Sequence, residues 1–225
     1  MTHFVGFSPD FVSFFRDLAA SQDREWFHAN KKRYEAVVKE PMSDFVVAVN
    51  AALAERQVPL AGDPKRSVTR INRDVRFSSD RSPYKTYTAA TFTRQAGEMS
   101  PGLLYVSLSA DDCFAGLGFY AVGPADLSAM RTAIAIQADA WATVTTQLGR
   151  RGHPLENGET LKRMPRGFEG HANTAVADDL RLKAYVCKLR LDPRQLGPTL
   201  PVQIANFASG SLPLLYFGWQ AVGLS

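Results

Sequence analysis

The sequence has little of the usual catalytic vocabulary. Its two cysteines, Cys113 and Cys187, are far apart and lack a metal-ligand spacing. That pattern excludes a disulfide framework and suits a reducing cytosol. The four histidines (His3, His28, His153, His171) have no zinc spacing either. There is no Gly-rich phosphate loop, nucleophile elbow or zinc motif, and Gly116-Leu-Gly118 is too short for a nucleotide fingerprint. Neither a cofactor nor a metal is therefore expected. Apolar stretches are broken by Gly, Pro or charge well before membrane-spanning length. The opening MTHFVGFSPDF lacks a basic segment followed by a long apolar run, so no secretory leader is expected. A cytoplasmic protein without a membrane partner is the expectation.

What remains is the composition of an ordinary globular protein, with 45% hydrophobic and 21% charged residues in 225. Such a length fits one large domain or two small ones. No internal repeat, low-complexity tract or linker divides the chain, which predicts one domain over residues 1–225.

Ser8-Pro9-Asp10 reads as a helix start, with Phe11, Phe14, Phe15 and Leu18 following at helical spacing. Ser21 reads as the cap of a second helix carrying Trp26, Phe27, Tyr34, Val37 and Val38, which Pro41 interrupts. Met42, Phe45, Val46, Val49 and Leu53 mark a third. The period then changes. Residues 67–72 read as extended, 86–94 and 113–122 as strands, and 103–109 alternates. Asp111-Asp112 reads as a turn, and Gly116 and Gly118 as a bulge or a close backbone approach. Gly123-Pro124 opens a helix with Leu127, Met130 and Ile134 inward, and another helix covers 141–148. Residues 149–173 form a loop, 175–183 a short helix and 185–191 a strand. The C-terminal part reads as helical but broken near Gly210 and Pro213. The predicted class is α+β: N-terminal helices, a central and mainly antiparallel meander, and C-terminal helices.

Charge is concentrated in residues 65–87. There Lys65, Arg66, Arg70, Arg73, Arg76, Arg81 and Lys85 face only Asp74 and Asp80, while the whole chain carries +4. Arginine suits bidentate recognition of carboxylate or phosphate. An extended stretch from Val68 to Phe77 places Thr69, Ile71, Arg73, Val75 and Phe77 on one face and Arg70, Asn72, Asp74 and Arg76 on the other. Ser82-Pro83 turns the chain, returning Tyr84 and Lys85 toward the arginines. Convergent donors of this kind suit an anion. An internal Arg–Asp network pinning the strand to the helices accounts for the same residues. Trp26, Asn30 and Tyr34 stack at i, i+4 and i+8. Asn30 is either a polar anchor in a pocket wall or a core amide satisfied by nearby backbone.

The run Arg73, Asp74, Arg76, Phe77, Ser78, Asp80, Ser82, Pro83, Tyr84, Lys85 resembles the signature of an uncharacterised bacterial conserved-hypothetical family, domain of unknown function 2461. Arg81 stands where that family usually has Lys. Glu25-Trp26-Phe27 with Asn30, Lys31 and Tyr34, Leu127 with Arg131 and Ile134, and Leu161-Lys162 with Pro165, Gly167 and Phe168 are also similar to it. The resemblance implies a single domain and brings no activity, substrate or cofactor.

The leading expectation is a protein binding a small phosphate- or carboxylate-bearing ligand through Arg70, Arg73, Arg76 and Lys85, with Asp74, Asp80, Tyr84, Asn30 and Trp26 completing the site. An enzyme acting on an anionic substrate in the same pocket stands beside it. So does a nucleic-acid or protein interaction module in which the arginines form a structural salt-bridge network.

Overall fold

The computed structural model describes residues 4–74, 81–94 and 100–224. The chain begins with helix α1 (Pro9–Ala20), preceded by Ser8 in extended geometry and started by a proline whose missing N–H costs nothing there. Phe11, Phe14, Phe15 and Leu18 are fully buried, each contributing about 2 kcal/mol by leaving water. Helix α2 (Arg24–Ala29) is capped by Asp23, whose carboxylate accepts from Trp26 N–H at 2.7 Å. Ser21, the cap expected from sequence, instead ends α1.

Helix α3 (Lys31–Tyr34) runs through a π-helical stretch (Glu35–Lys39) into α4 (Glu40–Glu55). Pro41 does not interrupt this run. It sits in the first turn of α4, directly after the widened turn. Met42, Phe45, Val46, Val49 and Leu53 of α4 are buried, as their spacing predicts.

The sheet is an antiparallel meander, β1 (Tyr87–Phe92), β2 (Leu103–Ser109), β3 (Cys113–Phe119) and β4 (Tyr185–Leu191), in sequential order. The β2–β3 turn is held by Ser109 Oγ, which accepts from Asp111 and Asp112 N–H and donates to the Asp112 carbonyl. Two irregular segments extend the edges. Residues 67–69 lie along β1 through Thr69 N–H to Ala89 O and Thr91 N–H to Ser67 O. Leu155 and Glu156 lie along β4.

Helices α5 (Pro124–Ile136) and α6 (Ala138–Arg150) separate β3 from β4, followed by a loop and the short α7 (Ala177–Arg181). The chain closes with α8 (Leu200–Ala221), which contacts α4, α5, α6 and β3. Sequence predicts a break in α8 near Gly210 and Pro213, yet the helix is continuous. Proline removes the N–H that Ser209 would have accepted. Arg151 Nη1 supplies a donor instead, 3.4 Å from the carbonyls of Ser209 and Gly210. Gly210 seats the His153 ring, where a Cβ would approach to 2.7 Å.

One face of every strand joins the common core: Ala90 and Phe92, Leu104, Val106 and Leu108, Ala115 and Leu117, Tyr185 and Cys187. Both cysteines lie on this side, buried and unbonded to each other. A second buried device ties α5 to the β4 entrance, where Arg131, 9% exposed, donates to the Leu182 carbonyl at 2.9 Å. Among the described residues, no helix is long and apolar enough to cross a membrane.

Candidate functional site

The basic segment forms a hairpin-like return. Arg73 N–H donates to Pro83 O at 2.9 Å and Lys85 N–H to Ile71 O at 2.8 Å, with Asn72 bridged to Tyr84. Tyr84 and Lys85 thus lie back beside Ile71 and Arg73, with Pro83 already on the returning arm. Exposure alternates along the outgoing strand: Arg70, Asn72 and Asp74 face water, Ile71 is buried and Arg73 is half-buried. Arg76 and Asp80 lie outside the described residues.

The inward groups of this hairpin are committed to packing. Tyr84 is 5% exposed and stacks on Phe27 at 4.3 Å. Arg73 reaches the Tyr84 carbonyl at 3.4 Å, and Arg73, Asp74 and Arg81 all have further partners. Burial, and then the nearby Arg73 charge, hold the Lys85 ammonium below the usual lysine range. Asn30 lies between α2 and α3 and donates through Nδ2 to Trp26 O at 3.0 Å. Trp26 and Tyr34 both pack on Phe14. Trp26 thus packs against α1, and the Asn30 amide is satisfied by the backbone of α2.

A second place was not anticipated. All the helices that cover the sheet pack on one side, and the other face floors a groove of about 1370 Å³. Register fixes what stands there. One cross-strand row reads Thr91, Tyr105, Gly116, Lys188, and the next reads Ala89, Ser107, Phe114, Arg190. Arg16 and Ala19 of α1 contribute to one wall, and Glu156, Glu159 and Lys183 stand on the β4 side.

Gly116 leaves bare backbone between Tyr105 and Lys188. A Cβ there would meet Val186 Cγ1 at 3.6 Å and Cys187 O at 3.9 Å, both ordinary contacts, so the position would accept a methyl without a clash. Gly118 is different. Its φ of +141° and a Cβ position 2.1 Å from Tyr185 O make it a structural requirement of the β3–β4 pairing.

Lys188 Nζ stands 4.2 Å from the centroid of the Phe114 ring, a cation–π contact that orients a charge on an apolar floor. Among the described residues, neither Lys188 nor Arg16 has a carboxylate within ion-pair distance, whereas Lys183 is paired to Glu159 at 2.9 Å. Burial, then the neighbouring Tyr87, pushes the Tyr105 phenol up to about 12, so it stays a neutral donor. Among the described residues, no group of three or more His, Cys, Asp or Glu side chains is placed to hold a metal ion.

The signal for this groove was present in the alternation of β2 and the two glycines of β3. What sequence could not supply was that one sheet face stays uncovered. No curated protein and no solved structure matches the chain. Residues 10–217 match the conserved hypothetical protein family DUF2461, the family that the basic hairpin resembles, and the chain belongs to it.

Proposed function

We propose that this protein binds a small anionic molecule, and that the ligand lies in the groove over the open sheet face rather than on the arginine hairpin. The observation that carries this reading is the Tyr105–Gly116–Lys188 row. It combines a floor position without a side chain, a neutral phenol and a cation without an acidic partner within one concave surface. Concave, largely apolar surfaces with a few placed polar groups are the usual form of small-molecule sites.

The hairpin supports the scaffold part of the sequence expectation better than the ligand part. Its inward side chains are engaged, and Arg70 stands in water, where an anion contact is heavily screened. A nucleic-acid module is less favoured. Asp111, Asp112, Glu156 and Glu159 surround the groove and outnumber Arg16, Lys183 and Lys188, the reverse of the basic stripe a polyanion needs.

Thermal melting against a panel of phosphates, carboxylates, nucleotides and sugar phosphates tests the proposal. A ligand at a hundredfold its Kd adds about 2.7 kcal/mol, roughly 5–10 °C for a domain of this size. The shift is expected to vanish in Lys188→Met and persist in Arg70→Ala. The opposite pattern moves the site to the hairpin.

A further inference from the structure

We infer that the groove selects ligands carrying one flat ring and one anionic group, the class of aromatic carboxylates and nucleoside monophosphates. This inference rests on the groove being the binding site.

Three features carry it. First, a methyl placed on Gly116 meets nothing closer than ordinary van der Waals contacts, and of the strand residues that line the groove only Gly116 and Gly118 lack a side chain. A flat group can approach such a strand to van der Waals distance, which no side chain permits. Tyr105 flanks this position on the paired strand, and its ring lies 6.0 Å from that of Phe114. Aromatic walls beside a flat floor favour a ring over a flexible chain.

Second, Lys188 is the charged side chain of the floor row. It lies two strands from Tyr105, about 10 Å at ordinary strand spacing. That distance suits a single ring with its anionic group attached, and is short for a longer molecule.

Third, the side of the floor away from Lys188 carries hydroxyls, from Tyr87, Thr91, Tyr105 and Ser107. These receive polar ring substituents. The surrounding carboxylates repel a chain of phosphates, so one anionic group is favoured over many.

The test is isothermal titration of the full chain with 4-hydroxybenzoate and adenosine 5′-monophosphate, each compared with succinate, inorganic phosphate, 4-hydroxybenzyl alcohol and a short single-stranded DNA. At least one ring-bearing anion is expected to bind about tenfold or more tightly than the acyclic anions and the neutral alcohol. Whichever of the two binds identifies carboxylate or phosphate as the anionic group. Lys188→Met keeps the apolar stem over Phe114 and removes the charge. Gly116→Ala adds one methyl to the floor without a clash. Each is expected to weaken that ligand about tenfold or more, with unchanged far-UV circular dichroism.

Acyclic anions that bind as tightly, and depend on Lys188 but not on Gly116, overturn ring selection and leave the groove as the binding site. Equal binding of the neutral alcohol overturns the anionic requirement. Tighter binding of DNA with steep salt dependence, or silence across the panel, overturns the inference. A ring-bearing anion whose affinity neither variant changes overturns the groove itself, and with it the proposed function.

Discussion

Tyr105 and Gly116 face each other across β2 and β3, so one of the largest side chains on the open sheet face stands beside bare backbone. The same strand carries Gly118, whose Cβ position overlaps the Tyr185 carbonyl. Two glycines two positions apart thus have opposite reasons to be glycine.

Their substitution to alanine separates those reasons. Gly116→Ala is expected to leave the protein as stable as wild type or about 0.5–1 kcal/mol more so, since strand glycine carries an entropic cost. Gly118→Ala is expected to cost at least about 3 kcal/mol, through a strained φ and a backbone overlap. Chemical denaturation measures both. Equal losses would show that Gly116 is also a structural requirement.

Within the basic hairpin, Arg73 and Arg70 are expected to behave differently. Arg73→Ala removes a half-buried side chain bonded to the Tyr84 carbonyl and is expected to cost about 1–2 kcal/mol. Arg70→Ala alters an exposed side chain and is expected to stay within about 0.5 kcal/mol. Arg73→Ala also removes the like charge beside Lys85, so the Lys85 pKa is expected to rise, as followed by NMR of the lysine side chains. An unchanged melt for Arg73→Ala would show that the hairpin does not depend on it.

Asp179 provides a pH signature. Its carboxylate accepts from the buried Trp141 indole at 2.7 Å, and burial is the main cause holding its pKa above the ordinary 3.8. Between the unfolded and the folded pKa, the folded state holds a proton that the unfolded state has lost. Stability from this group therefore falls as pH rises through that window, and the cost is complete above it. Asp179→Asn keeps an acceptor for Trp141 without the charge. Relative to wild type it is expected to be stabilised at neutral pH, with the difference closing as pH falls toward 3.8 and below. Urea titrations across pH 3–8 measure the difference, and a constant offset would contradict it.

Arg151 is expected to support the continuous α8. Its contacts with the Ser209 and Gly210 carbonyls are long, so Arg151→Ala should cost only about 0.5–1 kcal/mol. Amide exchange near residues 209–213 should quicken more than elsewhere in the helix. Uniform exchange along α8 would remove this role.

Much of the fold was legible because local pattern and tertiary environment agree. The alternation of β2, the apolar spacing of α1 and α4, and the turn at Asp111-Asp112 all stand where their residues place them. The misreadings share one cause. Pro213 is a breaker by local rules, but a side chain from residue 151 offers donors to the carbonyls there. Pro41 is accommodated by a widened helical turn that no residue type announces. Ser21 and Asp23 are both good caps, and only the geometry entering α2 chooses between them. The groove was hidden for a related reason. The pattern of β1 to β4 describes two faces of each strand, but only the packing of α8 and its neighbours on one face leaves the other open. Arg16 and Lys188 lie 172 positions apart, and no local motif joins them.

The most direct measurement is an amide and lysine side-chain NMR titration with the panel compound that gives the largest thermal shift. Binding in the groove predicts that the largest perturbations fall on Tyr105, Phe114, Gly116 and Lys188. Perturbations centred on Arg70, Arg73 and Lys85, with the sheet floor unmoved, would contradict it and return the site to the arginine hairpin.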